Sequence, residues 1–226
     1  IRLGEKVDLV VPTGNFGDIF AGYLAKRMGL PVNRLIIASN ENRVLVDFFK
    51  TGIYDLNREF IKTNSPSMDI LISSNLERLL SLVIEDDETI RYLMNELKTK
   101  KRFSVEGEIL QKLQETFLAY SASQEETKEA IKSCYSNYHY ILDPHSAVAF
   151  HAYKEYAKVY SKNHVVLVLT ASPLKFPTTI CQALGFSYKD DIDALHVLIQ
   201  NTQLPLPDAL KKVLACQTPK FLLSPR

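Results

Sequence analysis

With 226 residues, a formal net charge of +1 and 46% hydrophobic against 23% charged residues, the chain has the balance of a globular domain with one sizeable core. That charge gives no electrostatic case for nucleic acid or an anionic membrane as a partner. No apolar run is long enough to span a bilayer and no signal peptide is evident. Cys134, Cys181 and Cys216 share no C-x-x-C spacing, which argues for reduced thiols in a cytoplasmic protein and against a disulfide framework or a zinc site.

The chain opens at Ile1 rather than Met and runs almost directly into a buried type of strand, so it is expected to be part of a longer polypeptide. The strand is the apolar run Val7 to Val11, broken at Pro12 by Thr13-Gly14-Asn15-Phe16-Gly17-Asp18. Phe20, Tyr23, Leu24 and Met28 then recur at helical spacing, and Gly29 stops the helix. Strand, glycine loop and helix together can hold an anion, because glycines let backbone amides approach it and the helix start adds unpaired N–H groups. Asp18 is expected to cap the helix and leave the amides of residues 14 to 17 for that anion. The glycines alone do not decide it, since such turns also occur in doubly wound proteins with no phosphate to hold. Neither G-x-G-x-x-G nor a Gly-Lys-Ser/Thr ending is present.

Arg34 to Ala38 and Val165 to Leu169 read as further strands, both expected to be covered on two faces as in a parallel sheet. The short connection through Gly29-Leu30-Pro31 implies parallel pairing of the first two. Met68 to Ile72 fits either a short strand or a buried helical turn. Residues 75 to 135 read as helical, with apolar positions at Leu79 to Val83, at Ile90 to Leu97, and at Ile109, Leu110, Leu113, Phe117 and Leu118. Ser123 to Glu126 is a capping box ahead of the next helix. Asp143-Pro144 and Phe176-Pro177 mark two more helix starts, and short helices are expected over 194–199 and 207–214. The fold class is therefore α/β with a mainly parallel sheet. Thr170 ends a strand where open α/β sheets place ligands; Lys175 follows in the next loop, a position more often solvent-facing. The five histidines show no H-E-x-x-H spacing, and no G-x-S-x-G occurs.

Several stretches, in order, resemble threonine synthase, a pyridoxal-phosphate (PLP) enzyme of the tryptophan-synthase-β-like fold type II. They are PTGNFGDIFAGYLAKRMGLP from Pro12, IIASNEN at 36–42, SPSMDILISSNLERLL at 65–80, LDPHSAVAF at 142–150 and TASPLKFP at 170–177. The resemblance runs from about Val7 to Leu184, with two departures: Arg43 stands where the family often has an acid, and Ser172 where it often has His. It implies a three-layer αβα domain, with residues 1–185 as the C-terminal portion of the catalytic domain. Residues 75–135 would be a helical insertion and 186–226 a tail packed on the domain.

By that resemblance Gly14, Asn15, Phe16 and Gly17 hold the phosphate of pyridoxal 5'-phosphate, and Thr170 meets its pyridine nitrogen. Asn75, Arg78 and Lys175 are the candidates for contact with the substrate, O-phospho-L-homoserine; Asn40, Asn42, Asp143 and His145 recur in the family-like stretches. The Schiff-base lysine belongs to an earlier segment with a Phe-Lys-Asp-like motif, and no Phe-Lys-Asp occurs here. It is expected upstream of Ile1. The chain alone is accordingly expected to be inactive, and to self-associate through an open sheet edge and the apolar faces of Val7 to Val11 and Leu35 to Ala38. The alternative reading is a non-catalytic phosphate- or nucleotide-binding α/β module.

Overall fold

The computed structural model describes residues 2–160 and 162–215. Strand β1 (Val7–Pro12) leads through the glycine loop into α1 (Gly17–Arg27), and β2 (Val32–Ser39) returns beside it in parallel, Val10 opposite Ile36. Next come α2 (Val44–Thr51) and β3 (Ile53–Asp55), then α3 (Leu76–Ile84) and α4 (Asp87–Lys100). A strand β4 (Arg102–Ser104) pairs antiparallel with β3, and α5 (Gly107–Thr116) follows. Strand β5 (Phe117–Ser121) joins the free edge of β2; α6 (Gln124–Tyr138) and α7 (Pro144–Ala157) lead to β6 (His164–Leu167) on the opposite edge of β1. The chain continues through α8 (Pro177–Leu184), α9 (Asp191–Thr202) and α10 (Asp208–Ala215). The main sheet has the order β5-β2-β1-β6, with every pair parallel.

Alternation along the strands makes the three layers. Val11, Leu35 and Ile37 face one side, packed with Phe16, Ile19, Phe48, Phe49 and Phe117. Val10, Ile36 and Ala38 face the other, against Val148, Ala149, Ala152 and Tyr156 of α7. Because both faces are covered, the central strands carry continuous apolar runs.

Three expectations need correction, and one left open is decided. The helix read through Phe117 and Leu118 ends at Thr116; those residues open β5, where pairing with β2 buries Phe117. The stretch 75–135 is thus not helical throughout, since it contributes a strand to the main sheet. Around Met68, where the sequence leaves both a short strand and a buried helical turn open, the chain forms a short 3₁₀ turn, Pro66–Met68. Strand β6 lies at the sheet edge and is only half-covered, with Val166 40% exposed. The apolar faces of β1 and β2 are mostly covered, Val10, Val11 and Leu35 to Ala38 being buried under the helical layers; β5 and β6 are the edge strands, and β6 is the more exposed.

Strand order also fixes where a ligand can enter. From β1 the chain steps to β2 and β5, then crosses back to β6 on the far side of β1. The direction of winding reverses between β1 and β6, and a crevice opens at the carboxyl ends of strands at such a point. The glycine loop follows β1, and Thr170 lies three residues beyond the end of β6.

Candidate functional site

The loop after β1 is held open by an aromatic anchor. Thr13 follows the strand directly, its amide on the Ala38 carbonyl (2.8 Å) and its hydroxyl on that of Val11 (2.7 Å). Phe16 then takes a left-handed conformation, φ 68°, that a residue with a large side chain rarely adopts. Its ring is buried and stacks on Phe49 with centroids 5.7 Å apart, so core packing offsets the strain. The sequence reading used Phe16 only for its amide and missed this anchor. Among the described residues the amides of Gly14, Asn15 and Phe16 have no hydrogen-bond partner. That of Gly17 donates to Asn15 Oδ1 at 3.0 Å. Asp18 does not cap α1: the cap residue is Phe16, no side chain caps it, and Asp18 lies within the first turn.

The walls of the loop are fitted to its backbone. A Cβ on Gly14 would stand 3.0 Å from the Ser67 carbonyl oxygen and 3.2 Å from Met68 Cα, so no larger residue fits without moving that turn. The Gly14 carbonyl accepts from Ser73 Oγ (2.6 Å), and the Asn15 carbonyl accepts from both the amide (3.1 Å) and the side chain (2.9 Å) of Asn75. These bonds turn the loop carbonyls away and leave the amides facing out. Asn75 Oδ1 in turn receives Arg78 Nη1 (2.8 Å), which puts an exposed guanidinium beside the loop. Behind Ser73, the buried Tyr54 hydroxyl accepts the Ser73 amide (2.8 Å) and donates to the Leu71 carbonyl (2.7 Å); burial pushes its pKa up to about 12.

A second cluster lies at the head of α7. Asp143 caps the helix, taking the His145 amide (2.9 Å) and ring Nδ1 (2.8 Å) on Oδ1 and the Ser146 hydroxyl on Oδ2. Burial alone would raise the Asp143 pKa, but these hydrogen bonds outweigh it and hold the carboxyl below the usual range. Ser146 Oγ accepts the Thr170 amide (3.2 Å), and His145 Nε2 accepts the Ser67 amide (3.2 Å). Thr170 itself is exposed. Continued at the offset that pairs Val10 with Leu167, it falls level with Thr13.

Asn40 and Asn42 are buried and structural. Both donate to Asp69 Oδ1, at 2.8 and 3.2 Å, and Asn40 also reaches Ser65 Oγ at 3.0 Å, so they pin the segment that carries Ser67. Lys175 ends the 3₁₀ turn Pro173–Lys175, exposed, with no ion pair among the described residues. Arg43 forms an exposed pair with Asp47 and takes no part in the site.

The structure therefore joins Gly14, Asn15, Asn75 and Arg78 in one bonded group, and Asp143, His145 and Thr170 in another that touches the first through Ser67. Lys175 is joined to neither. Ser67, Ser73 and Ser146 escaped the sequence reading. For Ser146 there was a signal: Ala147-Val148-Ala149-Phe150 marks a helix buried all round, where polar residues at its head must find partners. Ser67 and Ser73 act through irregular backbone and left no such pattern.

Residues 1–171 match the family model of the pyridoxal-phosphate dependent enzymes. The chain is 41% identical to threonine synthase of Saccharomyces cerevisiae over 92% of its own length and 42% of that protein. It is 42% identical to human threonine synthase-like 1, over 92% of this chain and 28% of that one. The crystal structure of the yeast threonine synthase superimposes with a TM-score of 0.83 at 38% identity, covering 94% of this chain and 43% of that one. A PLP-bound threonine synthase from Brucella melitensis gives a TM-score of 0.78 at 39% identity, covering 94% of this chain and 46% of that one. The chain thus spans less than half the length of these relatives.

Proposed function

The chain belongs to the family of pyridoxal-phosphate dependent enzymes, and from that premise we propose that it forms part of a threonine synthase active site. The reaction is conversion of O-phospho-L-homoserine and water to L-threonine and phosphate. The observation that carries this reading is the pairing of an amide-lined, Cβ-intolerant loop after β1 with Thr170 after the adjacent β6, at the point where the winding reverses.

The cradle fits the cofactor in chemistry as well as in place. Unpaired amides of Gly14, Asn15 and Phe16 at a helix start suit a phosphate dianion, with the α1 dipole in support. Thr170 offers a hydroxyl to the ring nitrogen, and a hydroxyl, unlike a carboxylate, does not hold that nitrogen protonated. When bound, pyridoxal 5'-phosphate supplies an electron sink for charge that develops on the substrate carbons. Arg78, oriented by Asn75, presents a guanidinium fork suited to the phosphate group of the substrate, and Lys175 is the second cation we assign to the substrate. The proton-moving lysine is assigned to the part of the relatives' length that this chain does not span. In the same reading the protein is cytoplasmic, and the open β6 edge favours self-association of residues 1–226.

The test is phosphate release from O-phospho-L-homoserine by the complete protein with added PLP. Thr170→Ala is expected to lower turnover while the protein stays folded, and unchanged kinetics with PLP bound would remove Thr170 from its role. Residues 1–226 alone are expected to give no turnover. A rate within about tenfold of the complete protein, only ~1.4 kcal/mol in barrier, would show that the lysine is misassigned. A complete protein that binds PLP yet releases no phosphate leaves the non-catalytic phosphate-binding module as the reading.

A further inference from the structure

His145 is buried, 4% exposed, and both ring nitrogens are engaged. Nδ1 faces the Asp143 carboxylate at 2.8 Å, and Nε2 faces the Ser67 N–H at 3.2 Å. A backbone N–H can only donate, so Nε2 must be the acceptor and the proton sits on Nδ1, donated to Asp143. The ring is thus fixed in one tautomer by a carboxylate that also caps the helix. Phe176 closes over it edge-on, with centroids 4.9 Å apart.

What the ring holds is the wall of the glycine loop. Ser67 is the residue whose carbonyl would meet a Gly14 Cβ at 3.0 Å. Its segment is pinned at both ends by Asn40, through Ser65 Oγ and Asp69 Oδ1. Between those pins, the bond to His145 is the side-chain bond that the Ser67 amide makes. The same Asp143 carboxylate reaches Thr170 through Ser146.

We propose that His145, oriented by Asp143, is a positioning residue: by accepting the Ser67 amide it sets the wall against which Gly14 packs, and so the spacing of the loop amides from Thr170. The inference rests on reading residues 14 to 17 as the cofactor-phosphate loop. His145 touches no reacting atom in this account, and its effect passes through backbone.

Two conservative variants separate this role from simple core filling. His145→Gln keeps an acceptor at the reach of Nε2 for the Ser67 amide, whereas His145→Asn keeps a donor for Asp143 and loses that acceptor. In the complete protein, the dissociation constant of PLP and the hydrogen exchange of the Ser67 and Gly14 to Gly17 amides without ligand are measured for both. Expected for His145→Asn are PLP binding weakened about tenfold, faster exchange at Ser67 and the loop, and a thermal midpoint close to that of His145→Gln; the Gln variant keeps affinity within about threefold of the wild type. Equal behaviour of the two variants, or unchanged loop exchange in His145→Asn, would overturn the proposal. Should the wild type bind no PLP, the phosphate-loop reading fails, and the exchange comparison alone still decides whether His145 sets the loop wall.

Discussion

The two ends of the parallel sheet each bury an aspartate, and they use it in opposite ways. At the amino end, Asp8 of β1 is 1% exposed, and its carboxylate accepts from Asn33 Nδ2 (2.9 Å), the Arg34 amide (2.9 Å), the Tyr156 hydroxyl (2.5 Å) and Asn163 Nδ2 (2.7 Å). Every donor comes from the frame of the fold, and the network closes on itself. At the carboxyl end, Asp143 is equally buried, but its partners His145 and Ser146 pass hydrogen bonds on to Ser67 and Thr170. A satisfied carboxylate can thus clamp strands together or carry order outward to loops. The carboxyl end also carries the left-handed Phe16 and three loop amides without a partner among the described residues. Strain and open donors collect where a ligand is to be held, and closed networks where only the fold is at stake.

The largest effect is expected from breaking the closed end. Asp8→Ala leaves the Asn33 side chain, the Arg34 amide and the Tyr156 hydroxyl without their acceptor and takes one of two from Asn163, and urea unfolding should show a loss on the order of 3 kcal/mol or more. PLP affinity measured where the variant is still folded should change little, because the glycine loop lies at the opposite end of β1.

Tyr54→Phe probes the supports of the open end. It removes the acceptor of the Ser73 amide and the donor to the Leu71 carbonyl, at an expected cost of about 1–3 kcal/mol in chemical denaturation. Because Ser73 holds the Gly14 carbonyl, PLP binding should weaken as well, which Asp8→Ala should not reproduce.

Gly14→Ala is expected to reverse the balance between stability and binding. The added methyl meets backbone of the Ser67 turn, so PLP affinity should fall at least about tenfold, ~1.4 kcal/mol, by fluorescence titration. Thermal stability should move less than in either earlier variant.

The smallest effect is a slope in pH. The folded Asp143 carboxyl lies below its ordinary value, so it contributes stability that is complete above the unfolded value near ~4 and is lost as pH falls through the folded one. Asp143 should therefore leave stability flat between about pH 8 and 5. Asp143→Asn should flatten part of the acid limb in a pH series of urea midpoints.

The sequence carried the central strands plainly, because Val10, Val11 and Leu35 to Ala38 are apolar on both faces and are buried on both. It misread Phe117 and Leu118, since the helical spacing from Ile109 runs straight into them and only pairing with β2 distinguishes a strand there. It overestimated the cover on Val165 to Leu169, because an apolar run reveals nothing of whether its outer edge is paired. Within the candidate site, glycine spacing pointed to the loop, but the αL turn was placed on a phenylalanine whose ring holds it from the core. Asp18 looked like a cap because helix starts favour acids, yet the helix begins at Gly17 with Phe16 in the cap position, two residues earlier. The serines that tie the site together are invisible to pattern: Ser73 and Ser146 bond main-chain groups far away in sequence, and Ser67 acts through its own amide on the ring of His145.

The most direct measurement is the amide chemical-shift change of residues 13 to 18 when PLP, and separately inorganic phosphate, is added to the labelled protein. The account predicts that Gly14, Asn15 and Phe16, whose amides are unpartnered, shift most with either ligand, and that Gly14→Ala abolishes the response. Saturable PLP binding that leaves these amides unmoved and shifts another surface instead would contradict it.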